Sequence, residues 1–176
     1  MRNIRRNQDG FTFVELVVVV AIVAIMATIS VVSLSRANKM SVENGLSALQ
    51  AAFDDVRYET MSRANESINC EITKNSRDVV LNVLSGSDVI KTYPIVDKKY
   101  ELFLRITDET GAMQEVQNVS NLTVSFQKGD GALASISCVT EGSPLVVTTS
   151  ISKIQLSFDN EKYLTISPLT GRSIVE

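Results

Sequence analysis

Two kinds of hydrophobic pattern divide the chain. From Leu16 to Ser35 there are twenty consecutive uncharged residues, mostly Val, Ile and Ala. That length is close to the ~20 residues a helix needs to cross a ~30 Å hydrocarbon layer. Downstream, apolar residues recur at helical spacing. Leu46, Leu49, Phe53 and Val56 fall on one face, while Asp54, Asp55, Arg57 and Glu59 occupy the others. No proline precedes Pro94, and Gly45 is the only glycine between Gly10 and Gly86. The two patterns therefore join into one predicted helix, starting at Phe11 and ending near Ala64–Ser67, where Asn65 and Ser67 supply turn chemistry. Its ~55 residues would extend about 80 Å at ~1.5 Å per residue.

After Ser67 the period changes to two. The alternation predicts strands at Ile68–Thr73, Val79–Leu84, Val89–Ile95, Tyr100–Ile106, Leu122–Gln127, Leu133–Thr140, Leu145–Ile151, Ile154–Phe158 and Tyr163–Ser167. Short turn signals such as Ser85-Gly86-Ser87, Thr110-Gly111 and Asp159-Asn160 separate them, and short connections imply antiparallel hairpins. The expected class is α+β: a long N-terminal helix, half transmembrane and half amphipathic, packed on an antiparallel β-sheet head. The expected organisation is residues 1–10 as a leader, 11–35 as a membrane and assembly helix, 36–67 as its amphipathic continuation and 68–176 as the head.

Charge adds orientation. Arg2, Arg5 and Arg6 precede the uncharged run, and an excess of Arg holds that side in the cytoplasm. Arg36 and Lys39 follow the run and weaken the asymmetry without reversing it. An ordinary cleaved secretory signal would have a shorter apolar core and then a loop; here the helical pattern continues. The expected location is the cytoplasmic membrane, single-pass, with the head exported. Without residues 1–10 the net charge of −3 becomes −5, which argues against non-specific nucleic-acid binding by the exported part.

The search for chemistry excludes more than it offers. The chain has no histidine, which removes His-based catalysis and His metal sites. No P-loop, dinucleotide fingerprint or nucleophile elbow is present. Asp159-Asn160-Glu161 and Asp54-Asp55 read as a solvated turn and a helix face rather than as calcium ligands. No enzyme activity, catalytic residue, metal or cofactor is expected. Cys70 and Cys138 both fall on predicted strands. Either they bridge, closing a loop that would stabilise by roughly 4 kcal/mol, or they are two buried free thiols.

The one acid at the start of the apolar run, Glu15, needs an explanation. A carboxylate at the centre of a membrane helix costs about 2.5–3.5 kcal/mol on insertion scales, less near its end. Glu15 could reach the headgroups or the Arg6 region of its own chain. Alternatively its partner is on another molecule: cleavage before Phe11 would create an ammonium one helical turn from a neighbour's Glu15, setting the register between helices.

At these residues the chain resembles a known family. Gly10-Phe11-Thr12-Phe13-Val14-Glu15 at the head of an apolar helix, after the basic leader MRNIRRNQDG, is similar to the class III signal of type IV pilins and type II secretion pseudopilins. The resemblance implies cleavage after Gly10 by a prepilin peptidase, N-methylation of Phe11, and pairing of Glu15 with a neighbouring subunit's N-terminus. It implies other pilins or pseudopilins, the inner-membrane assembly platform and the cytoplasmic membrane as partners. Phe53–Ile68, with Arg57, Glu59, Ala64 and Asn65, resembles the helix end of GspH/FimT-type minor pilins and pseudopilins, and Tyr163–Val175 resembles their closing hairpin. The implied function is a minor pilin or pseudopilin; a major pilin is the alternative within the class. Some FimT-type proteins bind DNA through a C-terminal Gly-Arg-x-Arg. Here Gly171-Arg172 is followed by Ser173 and Ile174, so Arg172 is left as a weak point of DNA contact, and nucleic acid is not expected among the partners.

Overall fold

The computed structural model describes residues 12–63, 68–96, 100–140, 143–147 and 151–176, with the side chains of residues 30–35 and 143–147 outside the description. Helix α1 spans Phe13–Ser62. The expected end near Ala64–Ser67 lies outside the described residues; among those described, the last backbone bond of the helix is donated by Arg63 N to Glu59 O at 3.0 Å. The chain divides into two compact units, Met1–Met40 and Ser41–Glu176.

Within the second unit, α1 buries Val42, Leu46, Leu49, Ala52, Phe53, Val56 and Thr60. Their spacing alternates mainly between three and four residues and keeps them on one stripe. Thr60 is tolerated there because its hydroxyl donates to Val56 O at 2.8 Å.

Among the described residues eleven strands follow: β1 (Ile68–Lys74), β2 (Val79–Ser85), β3 (Asp88–Val96), β4 (Phe103–Asp108), β5 (Met113–Val116), β6 (Val119–Phe126), β7 (Leu133–Thr140), β8 (Ser143–Val147), β9 (Ile151–Ser157), β10 (Leu164–Ile166) and β11 (Ser173–Val175). They form two sheets with every pair antiparallel. One has the order β3-β2-β1-β6-β7-β8 and the other β11-β10-β9-β4-β5. The architecture is thus the expected α+β arrangement of a long N-terminal helix followed by antiparallel sheets. The strands differ from expectation in part. Of the segment predicted as Leu145–Ile151, residues 145–147 fall in β8, Ile151 opens β9 and residues 148–150 lie outside the described residues; β9 takes in most of the segment predicted to start at Ile154. β5 and β11 fall where the alternation predicts no strand.

Alternation places one face of β1, β2, β4, β6, β7, β9 and β10 inside. Cys70, Ile72, Leu81, Val83, Leu122, Val124 and Ile136 come from the first sheet; Leu104, Ile106, Ile154, Leu156, Leu164 and Ile166 come from the second. Both sets join the helix stripe in one buried cluster. The rings of Phe53 and Phe126 meet edge to face at 6.2 Å and 78°.

Polar contacts tie the stripe in place. Arg57 donates from Nε to Gly131 O at 3.1 Å and from Nη2 to Asp130 O at 3.3 Å. Asp55 accepts from Lys91 at 2.5 Å and from the Tyr93 hydroxyl. The β10–β11 turn approaches the β6–β7 turn so closely that a Cβ on Gly171 would lie 1.9 Å from Gly131 O.

Candidate assembly site at the head of the first helix

The first turn of α1 is a reciprocal cap. Glu15 N donates to Thr12 Oγ1 at 3.3 Å, and Thr12 N donates back to Glu15 Oε2 at 2.9 Å. The Thr12 hydroxyl also donates to Oε2 at 2.9 Å. This is a capping box: Thr12 is the N-cap, Glu15 is the third helical residue, and two backbone N–H groups that have no intrahelical partner are satisfied at once. A carboxylate near a helix N-terminus also interacts favourably with the helix dipole. The sequence contains the signal, Thr-x-x-Glu before an apolar run, but a membrane reading of Glu15 alone passes over it. Gly10 and Phe11, the expected cleavage and methylation positions, lie outside the described residues.

Beyond the cap, every described side chain of the apolar run is exposed, from Phe13 at 80% to Ile29 at 65%. Val17, Val18, Val19 and Val20 are consecutive, so the exposed surface is apolar around the whole helix and not only along a stripe. Such a surface belongs in lipid or against other helices. Thr28 hides its donor by bonding Ile25 O at 2.7 Å. Among the described residues no helix is long and apolar enough to cross a membrane; the side chains of residues 30–35, within the uncharged run, are outside that set.

The cysteines do not bridge. Cys70 on β1 and Cys138 on β7 are free and buried. Strand β6 lies between their strands, with Cys70 opposite Val124 and Cys138 opposite Leu122. Two strand spacings of ~4.8 Å exceed the ~7 Å Cα separation a disulfide tolerates. Burial pushes both thiols up from their usual range, and Cys70 Sγ donates to Val124 O at 3.1 Å.

The remaining sequence candidates are dispersed. Arg172 is exposed beside the β10–β11 turn, and Lys128 is exposed in the β6–β7 turn. Lys153 pairs with Glu176 at 3.1 Å, and Lys162 pairs with Glu43. Two of the four C-terminal cations thus already face carboxylates. Glu59 Oε2 is buried and has no hydrogen-bond partner among the described residues; Ala64 and Asn65 lie outside them. Asp159 Oδ1 accepts from Glu161 N at 2.9 Å and Lys162 N at 3.2 Å, so this carboxylate organises its own turn. Among the described residues no group of three acids or cysteines could hold a metal ion.

Searches of the curated proteins and of the solved structures gave no match. Residues 5–31 match the family model of the prokaryotic N-terminal methylation motif, so the capped start of α1 and the apolar helix after it carry the signal of type IV pilin-like prepilins.

Proposed function

We propose that the chain is a minor pilin or pseudopilin of the GspH/FimT type, a structural subunit of a type IV pilus or type II secretion filament. Prepilin peptidase cleaves it after Gly10, Phe11 is N-methylated, and the subunit waits in the cytoplasmic membrane with its head exported. The assembly platform then extracts it, and Glu15 meets the N-terminus of a neighbouring subunit. The observation that carries this reading is the methylation motif on a helix whose stretch Leu16–Ile29 is apolar on every face and which has one acid in its first turn. A helix of that surface is a poor element for a free-standing protein and a good one for a bundle of identical helices, where an acid can set the stagger.

The test is assembly against insertion. Glu15→Val should enter the membrane at least as well as the wild type, because it removes a charge. It should nevertheless be depleted from sheared filaments or from the purified secretion complex. Filaments carrying the Glu15→Val subunit at wild-type level would remove the pairing role.

A further inference from the structure

We propose that the outer face of the six-stranded sheet is a pairing surface, on which a second copy of this chain lies face to face while both are held in the membrane. The pairing is that of the membrane-held subunit described above and rests on that reading. Strand registers stack three rows across β3, β2, β1, β6 and β7, and the middle row is Thr92, Asn82, Glu71, Thr123 and Ser137. Of the fifteen described positions in these rows, Glu71 alone is charged. A solvated face of that size would carry about four or five charges. The second sheet shows the ordinary case. Its outer row Thr165, Gln155, Arg105 and Glu115 holds an ion pair at 3.0 Å, and Lys153 alongside pairs with Glu176 at 3.1 Å. Depletion of charge is the compositional mark of the centre of a protein interface.

The polar groups on the face are already prepared for burial. Thr92 donates to Asn82 Oδ1 at 2.9 Å, Asn121 donates to Glu71, and Ser125 and Ser135 share a bond at 2.6 Å. Bonded to one another across strands, these groups are not orphaned when water leaves. A ligand read by hydrogen bonds, such as a glycan, would need those donors free. The edge of the sheet is a poorer docking element: β3 carries Lys91, Pro94 and register shifts at Val79/Val80 and Val83/Leu84, devices that keep an edge from adding a strand.

Charge and area both point to a second copy. Without residues 1–10 each chain carries −5, so copies repel except where their surfaces are neutral. Five strands at ~4.8 Å and five residues at ~3.4 Å make a face of about 400 Å², half the roughly 800 Å² per partner of a stable complex. Such a contact forms between copies already concentrated by a shared membrane. Face-to-face pairing closes on itself and does not propagate, so it belongs to waiting subunits and is given up in the filament.

The experiment is crosslinking of the full chain with a short bismaleimide, in isolated membranes and in sheared filaments. Asn82→Cys and Thr123→Cys flank Glu71 at the centre of the face, where a two-fold axis brings like positions together. Met113→Cys and Ile174→Cys, exposed on the second sheet, are the controls, and the buried Cys70 and Cys138 set the wild-type background. The two central positions should give covalent dimer in membranes, several-fold above the controls, and none in filaments. Adding Ser137→Lys or Ser137→Glu to Thr123→Cys should cut the dimer about tenfold, because either charge must be desolvated. Glu71→Gln should raise it, since pairing brings the two carboxylates together.

Equal dimer from the control positions overturns the proposal, as does a crosslink only to a protein of another mass. So does unchanged dimer in either Ser137 variant, a gain with Ser137→Lys, or a loss with Glu71→Gln. Dimer that persists in filaments overturns the waiting role. Protease resistance of the head reports folding of each variant, and the cysteine positions alone decide if a charged variant misfolds. A wild-type chain that keeps Met1–Gly10 in cells with an active prepilin peptidase overturns the prepilin reading and this proposal with it; a processed chain without the crosslink overturns this proposal alone.

Discussion

Phe53→Ala is the sharpest test of how the exported unit is held together. The ring is fully buried on α1, its edge contact with Phe126 spans helix to sheet, and the same stripe carries Leu46, Leu49 and Val56. Truncating a buried Phe costs about 3–5 kcal/mol, combining lost transfer energy with the cavity left behind. A domain of this size has about 5–15 kcal/mol in total, so about a fifth of the stability or more would go. At roughly 3–5 °C per kcal/mol, the midpoint should fall by about 9–25 °C. The assay is thermal and urea unfolding of a Ser41–Glu176 fragment, which corresponds to the second compact unit. Tyr58→Ala is the control: it lies on the same helix but is 73% exposed, and it should change stability by less than about 0.5 kcal/mol. Equal midpoints for Phe53→Ala and Tyr58→Ala would refute the packing argument, because they would mean that the stripe does not carry the core.

Two further outcomes are expected of the same fragment. Gly171→Ala should cost more than about 3 kcal/mol, because φ is +64° and the new Cβ would strike the Gly131 carbonyl, whereas Gly86→Ala, with the same φ and open space around it, should cost only about 1–2 kcal/mol; equal midpoints would show that the two turns separate easily. Lys91, then Tyr93, hold the Asp55 carboxyl below its ordinary range by hydrogen bonding. The folded state then binds fewer protons than the unfolded chain, so this contribution is present above the usual carboxylate pKa of about 4 and is lost as pH falls through and below it. Urea titrations should show Asp55→Asn reducing the acid-induced drop, and an unchanged slope would show that the pair does not couple to folding.

Much of the architecture is legible in the sequence because periodicity reports burial directly. The Leu46, Leu49, Phe53 and Val56 stripe can be read from spacing alone, and most strands from alternation. What escapes has physical reasons. β5, Met-Gln-Glu-Val, is a short edge strand whose side chains are largely exposed; it is held by pairing with β4 and by the Glu115–Arg105 contact at 3.0 Å, neither of which leaves an alternating pattern. β11 is three residues long. The strand order β1-β6-β7 brings non-consecutive segments together, so placing Cys70 and Cys138 on strands does not say that β6 separates them. At the assembly site, Glu15 is legible as an anomaly in an apolar run. Its local partner Thr12 is passed over because a capping residue is not sought where a membrane segment is expected.

The most direct test of the central claim is the intact mass of the protein recovered from native membranes and filaments of cells with an active prepilin peptidase. A processed filament subunit should begin at Phe11, carry one added methyl group on its amino terminus, and give the same mass in both fractions. A chain that retains Met1–Gly10 in such cells would contradict it.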